Sequence, residues 1–193
     1  MAPASAETLR LLALGDSLTA GYNLPAGQGF VPRLEQALRE SGYDVEVIDG
    51  GVSGDTSAGG LARLDWMLGE HVDAAIVELG ANDGLRGLDP AETYRNLDAI
   101  ITQLHDRNIK VMLAGMYAPP NLGRQYGEDF RATFTRLAEE HDIVFYPFFL
   151  EGVAMQPELN LADGIHPNEA GINIIVESIL PYVKELLDRV KVS

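Results

Sequence analysis

Five short apolar runs, at residues 11–14, 45–48, 74–79, 111–116 and 143–149, are separated by longer stretches in which apolar residues recur at helical spacing. Alternation of this kind is the pattern of β-α-β units, whose right-handed crossovers stack helices on both faces of a parallel sheet. The predicted class is therefore α/β. Such a sheet gathers the loops that follow its strands along one edge, where α/β proteins bind their ligands. The helix after the first run carries Phe30, Leu34, Ala37 and Leu38 on one face, with Gly42 as its stop. Asp89-Pro90-Ala91-Glu92 has the form of a capping box with proline at the first helical position. Tyr94, Leu97, Ile101 and Leu104 then mark the buried face of the helix it opens. A last periodic stretch runs from Ile172 to Val190, and Pro181 is expected to kink or divide it.

The 193 residues suit one domain, 1–193, with a flexible N-terminus over residues 1–8. With 46% hydrophobic and 22% charged residues, the composition is that of a folded chain rather than a disordered one. A net charge of -15 repels phosphate backbones and anionic membrane surfaces, which argues against nucleic acid as a partner. The same acidity fits solubility or tolerance of high salt, and charge alone does not separate them. The chain has no cysteine, so a disulfide framework, a thiolate nucleophile and a cysteine zinc site are excluded. No apolar stretch approaches the ~20 residues of a membrane span, so no integral membrane segment is expected. Ala4-Ser5-Ala6 resembles the small-x-small end of a secretory signal and points to a periplasmic or secreted protein, an ordinary flexible terminus being the equal alternative.

The loops after the runs carry the chemistry. Gly15-Asp16-Ser17-Leu18-Thr19 puts a serine at a strand-to-helix turn, where its hydroxyl and backbone N–H can both face the crevice. A serine hydroxyl is a weak nucleophile and needs a base within hydrogen-bond reach, together with donors for the oxyanion it creates. Of four histidines, His105 lies in a polar helix, and His71 and His141 sit at helix ends beside acidic residues; these three read as structural or neutral. His166 differs, because Asp163-Gly164-Ile165-His166-Pro167 is a turn in which a carboxylate precedes the imidazole by three residues. A tight turn lets Asp163 accept from one ring nitrogen and leaves the other free to take a serine proton. Gly50-Gly51-Val52-Ser53-Gly54 offers exposed backbone N–H groups, and Gly80-Ala81-Asn82-Asp83 offers the Asn82 carboxamide. Each loop taken singly is more often a structural connection, as glycine-rich turns are in any doubly wound sheet.

Together, Gly15-Asp16-Ser17-Leu18, Gly54 within Ser53-Gly54-Asp55-Thr56, Gly80-Ala81-Asn82-Asp83 and Asp163-Gly164-Ile165-His166-Pro167 resemble the four blocks of the SGNH (GDSL-type) hydrolases, in family order. Gly21-Tyr22, Gly54-Asp55-Thr56-Ser57 and Asn82-Asp83-Gly84-Leu85-Arg86-Gly87 are most similar to the bacterial branch of arylesterases, acyl-CoA thioesterases and lysophospholipases. The resemblance implies a flavodoxin-like three-layer α/β/α sandwich with a five-stranded parallel sheet. It also implies hydrolysis of a small-molecule acyl ester, thioester or lysophospholipid. Ser17 is then the nucleophile, His166 and Asp163 complete the triad, and the Ser17 amide, Gly54 and Asn82 form the oxyanion hole. No cofactor and no metal are implied, and the oligomeric state is not readable. In that branch the loop at residues 116–124 borders the acyl pocket, which makes it a candidate for selecting acyl length. Two alternatives stay open: a carbohydrate O-acetyl esterase, and a non-catalytic flavodoxin-like binding module. Against the module, the chain has neither a Walker lysine motif nor Gly-x-Gly-x-x-Gly opening the first helix.

Overall fold

A computed structural model describes residues 8–192. Strands β1 (Leu9–Gly15), β2 (Val45–Gly51), β3 (Ala74–Glu78), β4 (Lys110–Ala114) and β5 (Val144–Tyr146) form one parallel sheet in the order β2-β1-β3-β4-β5. The order reverses direction between β1 and β3, which opens a crevice beyond their C-terminal ends. The register sets Gly15 of β1 beside Gly51 of β2 and Glu78 of β3, so three loops leave the sheet at one level.

Helices α2 (Phe30–Glu40) and α7 (Glu169–Lys191) pack together on one face of the sheet, and α3 (Ser57–Met67), α5 (Pro90–Asp106) and α6 (Arg124–His141) pack in series on the other. The central strand β3 is buried along its whole length, as expected for a strand covered on both faces. On α2, Phe30, Leu34 and Leu38 are buried; on α5, Leu97, Ile101 and Leu104 are. Tyr94 is only partly buried and donates its hydroxyl to Glu140. Asp89 caps α5 by accepting from the Ala91 N–H at 2.9 Å, with Pro90 at the first helical position.

Two expectations need correction. The fifth run yields a strand of only Val144–Tyr146, because Pro147 has no N–H to continue the ladder and the chain turns away. The segment that follows lines the site instead. Of the two outcomes expected at Pro181, a kink or a division, the division does not occur: α7 runs continuously from Glu169 to Lys191. Ile172, Ile175, Ile179, Val183, Leu186 and Leu187 are all buried along it, and that packing outweighs the hydrogen bond the proline removes. The expected flexible N-terminus and the Ala4-Ser5-Ala6 segment lie outside the described residues, Thr8 excepted. Among the described residues no helix is long and apolar enough to cross a membrane.

Candidate active site

β1 ends at Gly15, and the chain turns at once into the single-turn helix α1 (Ser17–Ala20). The turn is tight enough to require glycine. A Cβ on Gly15 would lie 2.0 Å from Thr19 Oγ1, and one on Gly51 would lie 2.3 Å from the Ala20 backbone nitrogen. Asp16 caps α1, its Oδ1 accepting from the Leu18 N–H at 2.9 Å. This fixes Ser17 as the first residue of the helix, at the crevice.

The turn carrying His166 arrives from the far side, between β5 and α7. Asp163 Oδ1 accepts from the backbone N–H groups of Ile165 and His166, both at 3.0 Å, and Oδ2 accepts from His166 Nδ1 at 2.7 Å. The His166 N–H, then the Ile165 N–H and the imidazole, stabilise the carboxylate and hold its pKa down to about 2. An ionised carboxylate only accepts, so Nδ1 carries the ring proton and Nε2 presents a lone pair. That Nε2 lies 2.9 Å from Ser17 Oγ. The Tyr22 ring sits beside the imidazole, centroids 4.5 Å apart.

The loop holding Gly54 is clamped to the serine turn and to the segment that carries Arg86. Arg63 donates from Nε to Asp55 Oδ2 at 2.6 Å and from a terminal nitrogen to the Gly15 carbonyl at 2.9 Å, while Arg86 donates to the Gly54 carbonyl at 2.9 Å. Gly54 has φ 88°, which glycine adopts without strain, and a Cβ there would meet nothing within 4 Å. Asn82 opens the short helix α4 (Ala81–Leu85). Its Nδ2 donates to Asp16 Oδ2 at 3.0 Å and to the Asp55 carbonyl at 2.9 Å. Asn82 thus ties three loops together, and both its N–H groups are engaged in this state. Donation to an oxyanion requires sharing or releasing one of them. Behind it, Asp83 accepts from the Ser57 N–H at 2.8 Å, the Ser57 hydroxyl at 2.5 Å and the Thr93 hydroxyl at 3.1 Å, pinning α4 to α3 and α5.

Two buried acids lie beneath the serine. Burial pushes the Asp16 carboxyl up to about 6, against the Leu18 N–H and Asn82 amide that favour its charge. Glu78, fully buried on β3, is raised well above the usual carboxylate range by burial and then by Asp16. Its Oε2 accepts from the Thr19 hydroxyl at 2.7 Å, and its Oε1 is buried without a partner. A neutral Glu78 is what such a site tolerates.

From Ser17 and His166 a groove of about 390 Å³ extends between Leu18, Leu85, Tyr117, Phe148 and Ile165. The loop at 116–124 forms one wall, its Tyr117 stacked on Phe148 with centroids 4.1 Å apart. The other three histidines are elsewhere. His71 pairs with Asp73 and His141 with Asp98, while the ring of His105 lies 5.6 Å from that of His141. His105 and His141 face a larger cleft of about 940 Å³ where β4 begins, at the edge opposite Ser17; it is lined by Lys110, Asp142, Lys184 and Asp188 among others. Its mixed charge and its distance from any nucleophile give it no part in the chemistry.

The structure thus brings together all five residues singled out in sequence, Ser17, Gly54, Asn82, Asp163 and His166, on loops of one sheet edge. Sequence reasoning missed Glu78, although a carboxyl inside an otherwise apolar strand was a visible signal. Phe148 and Met155 were missed too, because an apolar run reads as strand in sequence whether or not it pairs, and Met155 lies in a turn with no motif.

A serine hydroxyl, an imidazole backed by a carboxylate, and an apolar groove ending at both form an arrangement suited to nucleophilic acyl transfer. Comparison with known proteins narrows the class. Residues 13–173 match the model of the GDSL-like Lipase/Acylhydrolase family. The arylesterase of Vibrio mimicus is 43% identical over 168 residues, covering 86% of this chain and 84% of its own. Thioesterase 1/protease 1/lysophospholipase L1 of Escherichia coli K12 is 38% identical over 186 residues, 96% of this chain and 87% of its own. A crystal structure of TesA superposes with a TM-score of 0.88 at 41% identity, covering 92% of this chain and 99% of that one. The chain belongs to the GDSL-like lipase/acylhydrolase family.

Proposed function

We propose that the chain is a serine esterase that hydrolyses carboxylic esters, thioesters and lysophospholipids among them, through an acyl-enzyme on Ser17. The observation that carries the reading is the unbroken chain from Ser17 Oγ to His166 Nε2 at 2.9 Å and from His166 Nδ1 to Asp163 at 2.7 Å. In the first step His166 takes the Ser17 proton as Oγ attacks the carbonyl carbon, and Asp163 stabilises the imidazolium. The imidazolium then protonates the leaving alcohol or thiol. In the second step His166 activates water against the acyl-enzyme and returns the proton to Ser17. The oxyanion is held by the N–H groups of Ser17 and Gly54 and by Asn82, which gives up part of its bond to Asp16 or Asp55 as the charge forms.

The names of the relatives, arylesterase and thioesterase/lysophospholipase, and the apolar lining of the groove favour an aryl or alkyl acyl substrate over an acetylated glycan. The loop at 116–124 forms the wall that selects acyl length. A series of p-nitrophenyl esters and acyl-CoA thioesters from acetyl to palmitoyl tests the reading. A peak at one chain length that moves on Tyr117→Ala supports it, and activity confined to acetylated polysaccharide contradicts it.

A further inference from the structure

The large apolar side chains left in water are distributed unevenly. Among the described residues, Tyr22, Val52, Leu85, Leu88, Tyr117, Met155 and Ile165 are exposed on the loops at the Ser17 edge of the sheet. The other two, Trp66 and Val192, lie at the ends of α3 and α7, toward the opposite edge. Four of the seven, Leu85, Tyr117, Met155 and Ile165, line the groove; Tyr22 stands against His166, the Val52 N–H donates to the Gly15 carbonyl beside the serine turn, and Leu88 follows α4. Their exposure is built into the backbone. Met155 is 85% exposed at φ 63°, a conformation unusual for a side chain with a Cβ. Ile165 is turned outward by the same Asp163 turn that aims His166.

Two of the loops that form the rim are free of charge. The loops at residues 21–29 and 115–123 contain no Asp, Glu, Lys or Arg in a chain where 22% of residues are charged. Of the charges on the remaining loops, Asp16 is buried, Asp55 is paired with Arg63, Arg86 is bonded to the Gly54 carbonyl and Asp163 to His166, while Asp89 caps α5; Glu151 and Glu158 complete the set. An apolar, weakly charged rim around a groove that takes an acyl chain has a natural counterpart in the surface of a lipid aggregate. Two copies each carrying a net charge of -15 repel one another, as an anionic bilayer would repel this chain, so the occupant is an uncharged or zwitterionic lipid surface.

We propose that this rim docks the protein on zwitterionic lipid surfaces, so that an amphiphilic ester passes its acyl chain into the groove without crossing water. The inference rests on the esterase reading. Flotation with phosphatidylcholine vesicles, using Ser17→Ala to prevent turnover, tests it. The Ser17→Ala protein is expected to float with phosphatidylcholine and to bind less well when anionic phosphatidylglycerol is added. Adding Val52→Asp and Leu88→Asp, which are outside the groove, should weaken flotation by about tenfold or more, since each sets a charge where apolar area was buried. Trp66→Ser on the opposite edge, 81% exposed in the native chain, should leave it unchanged. No flotation, loss on Trp66→Ser instead, or a dimer in sedimentation velocity that Val52→Asp/Leu88→Asp dissociates would overturn the proposal. With Ser17 intact, the Val52→Asp/Leu88→Asp protein should hydrolyse soluble p-nitrophenyl acetate at the native rate. Absent turnover of that ester by the native protein marks failure of the esterase reading instead.

Discussion

Replacing Asp163 by asparagine changes one atom and tests the proton relay. In the native turn, Oδ1 accepts two backbone N–H groups and Oδ2 accepts the His166 Nδ1 proton. An asparagine has one acceptor and one donor end. If its oxygen keeps the two backbone bonds, its NH2 points at Nδ1. His166 must then carry its proton on Nε2 and donates to Ser17 rather than accepting from it. Turning the amide over sets NH2 against two N–H donors and forfeits two hydrogen bonds of roughly 0.5–1.5 kcal/mol each, so the unproductive orientation is preferred by on the order of 1–3 kcal/mol. The wrong tautomer, together with loss of the charge that stabilises the imidazolium, should lower kcat by about 10³–10⁴-fold with little change in KM. The assay is turnover of p-nitrophenyl acetate, with circular dichroism to confirm the fold. A variant that keeps more than about a tenth of native kcat would refute the reasoning.

Asn82→Ala should lower kcat by about 10²–10³-fold in the same assay, as loss of one oxyanion donor does, and unchanged kcat would remove Asn82 from the hole. Asp16 and Glu78 have raised folded-state pKa values, so the stability they contribute is present below the unfolded value near 4 and is lost as pH rises, for Asp16 through about 6. Asp16→Asn should therefore gain stability relative to the native chain as pH goes from 4 to 8 in urea titrations; a pH-independent difference contradicts this. The same substitution should lower activity, because the Leu18 N–H and the Asn82 amide donate to opposite oxygens of Asp16, and asparagine sets an NH2 against one of them. Asp163 has the opposite sign: depressed to about 2, its contribution is present above the unfolded value near 4 and fades as pH falls through about 2. Gly51→Ala drives a Cβ into the Ala20 backbone at 2.3 Å and should cost about 1–3 kcal/mol by thermal unfolding while displacing Ser17 and lowering kcat.

Much of this was legible in the chain because the relevant signals are local. Period and run length gave five strands, and the capping pattern at Asp89 placed the start of α5 correctly. The site residues announced themselves as glycine-flanked polar groups at strand ends, where topology alone brings them to one edge. What stayed hidden depends on packing. The length of β5 is decided by where Pro147 meets the sheet edge, and the continuity of α7 through Pro181 by the buried face on both sides of it. The engagement of both Asn82 N–H groups follows from distances between three loops, which no spacing in sequence encodes. The apolar rim was unreadable for the same reason, since exposed and buried leucines look alike in a sequence.

Labelling with a fluorophosphonate, followed by peptide mass spectrometry, probes the nucleophile and its base together. One adduct per chain on Ser17, slowed by about 10³-fold or more in His166→Ala, is the expected outcome. Esterase activity that persists while Ser17 stays unmodified, or labelling that proceeds at the native rate without His166, would contradict the account.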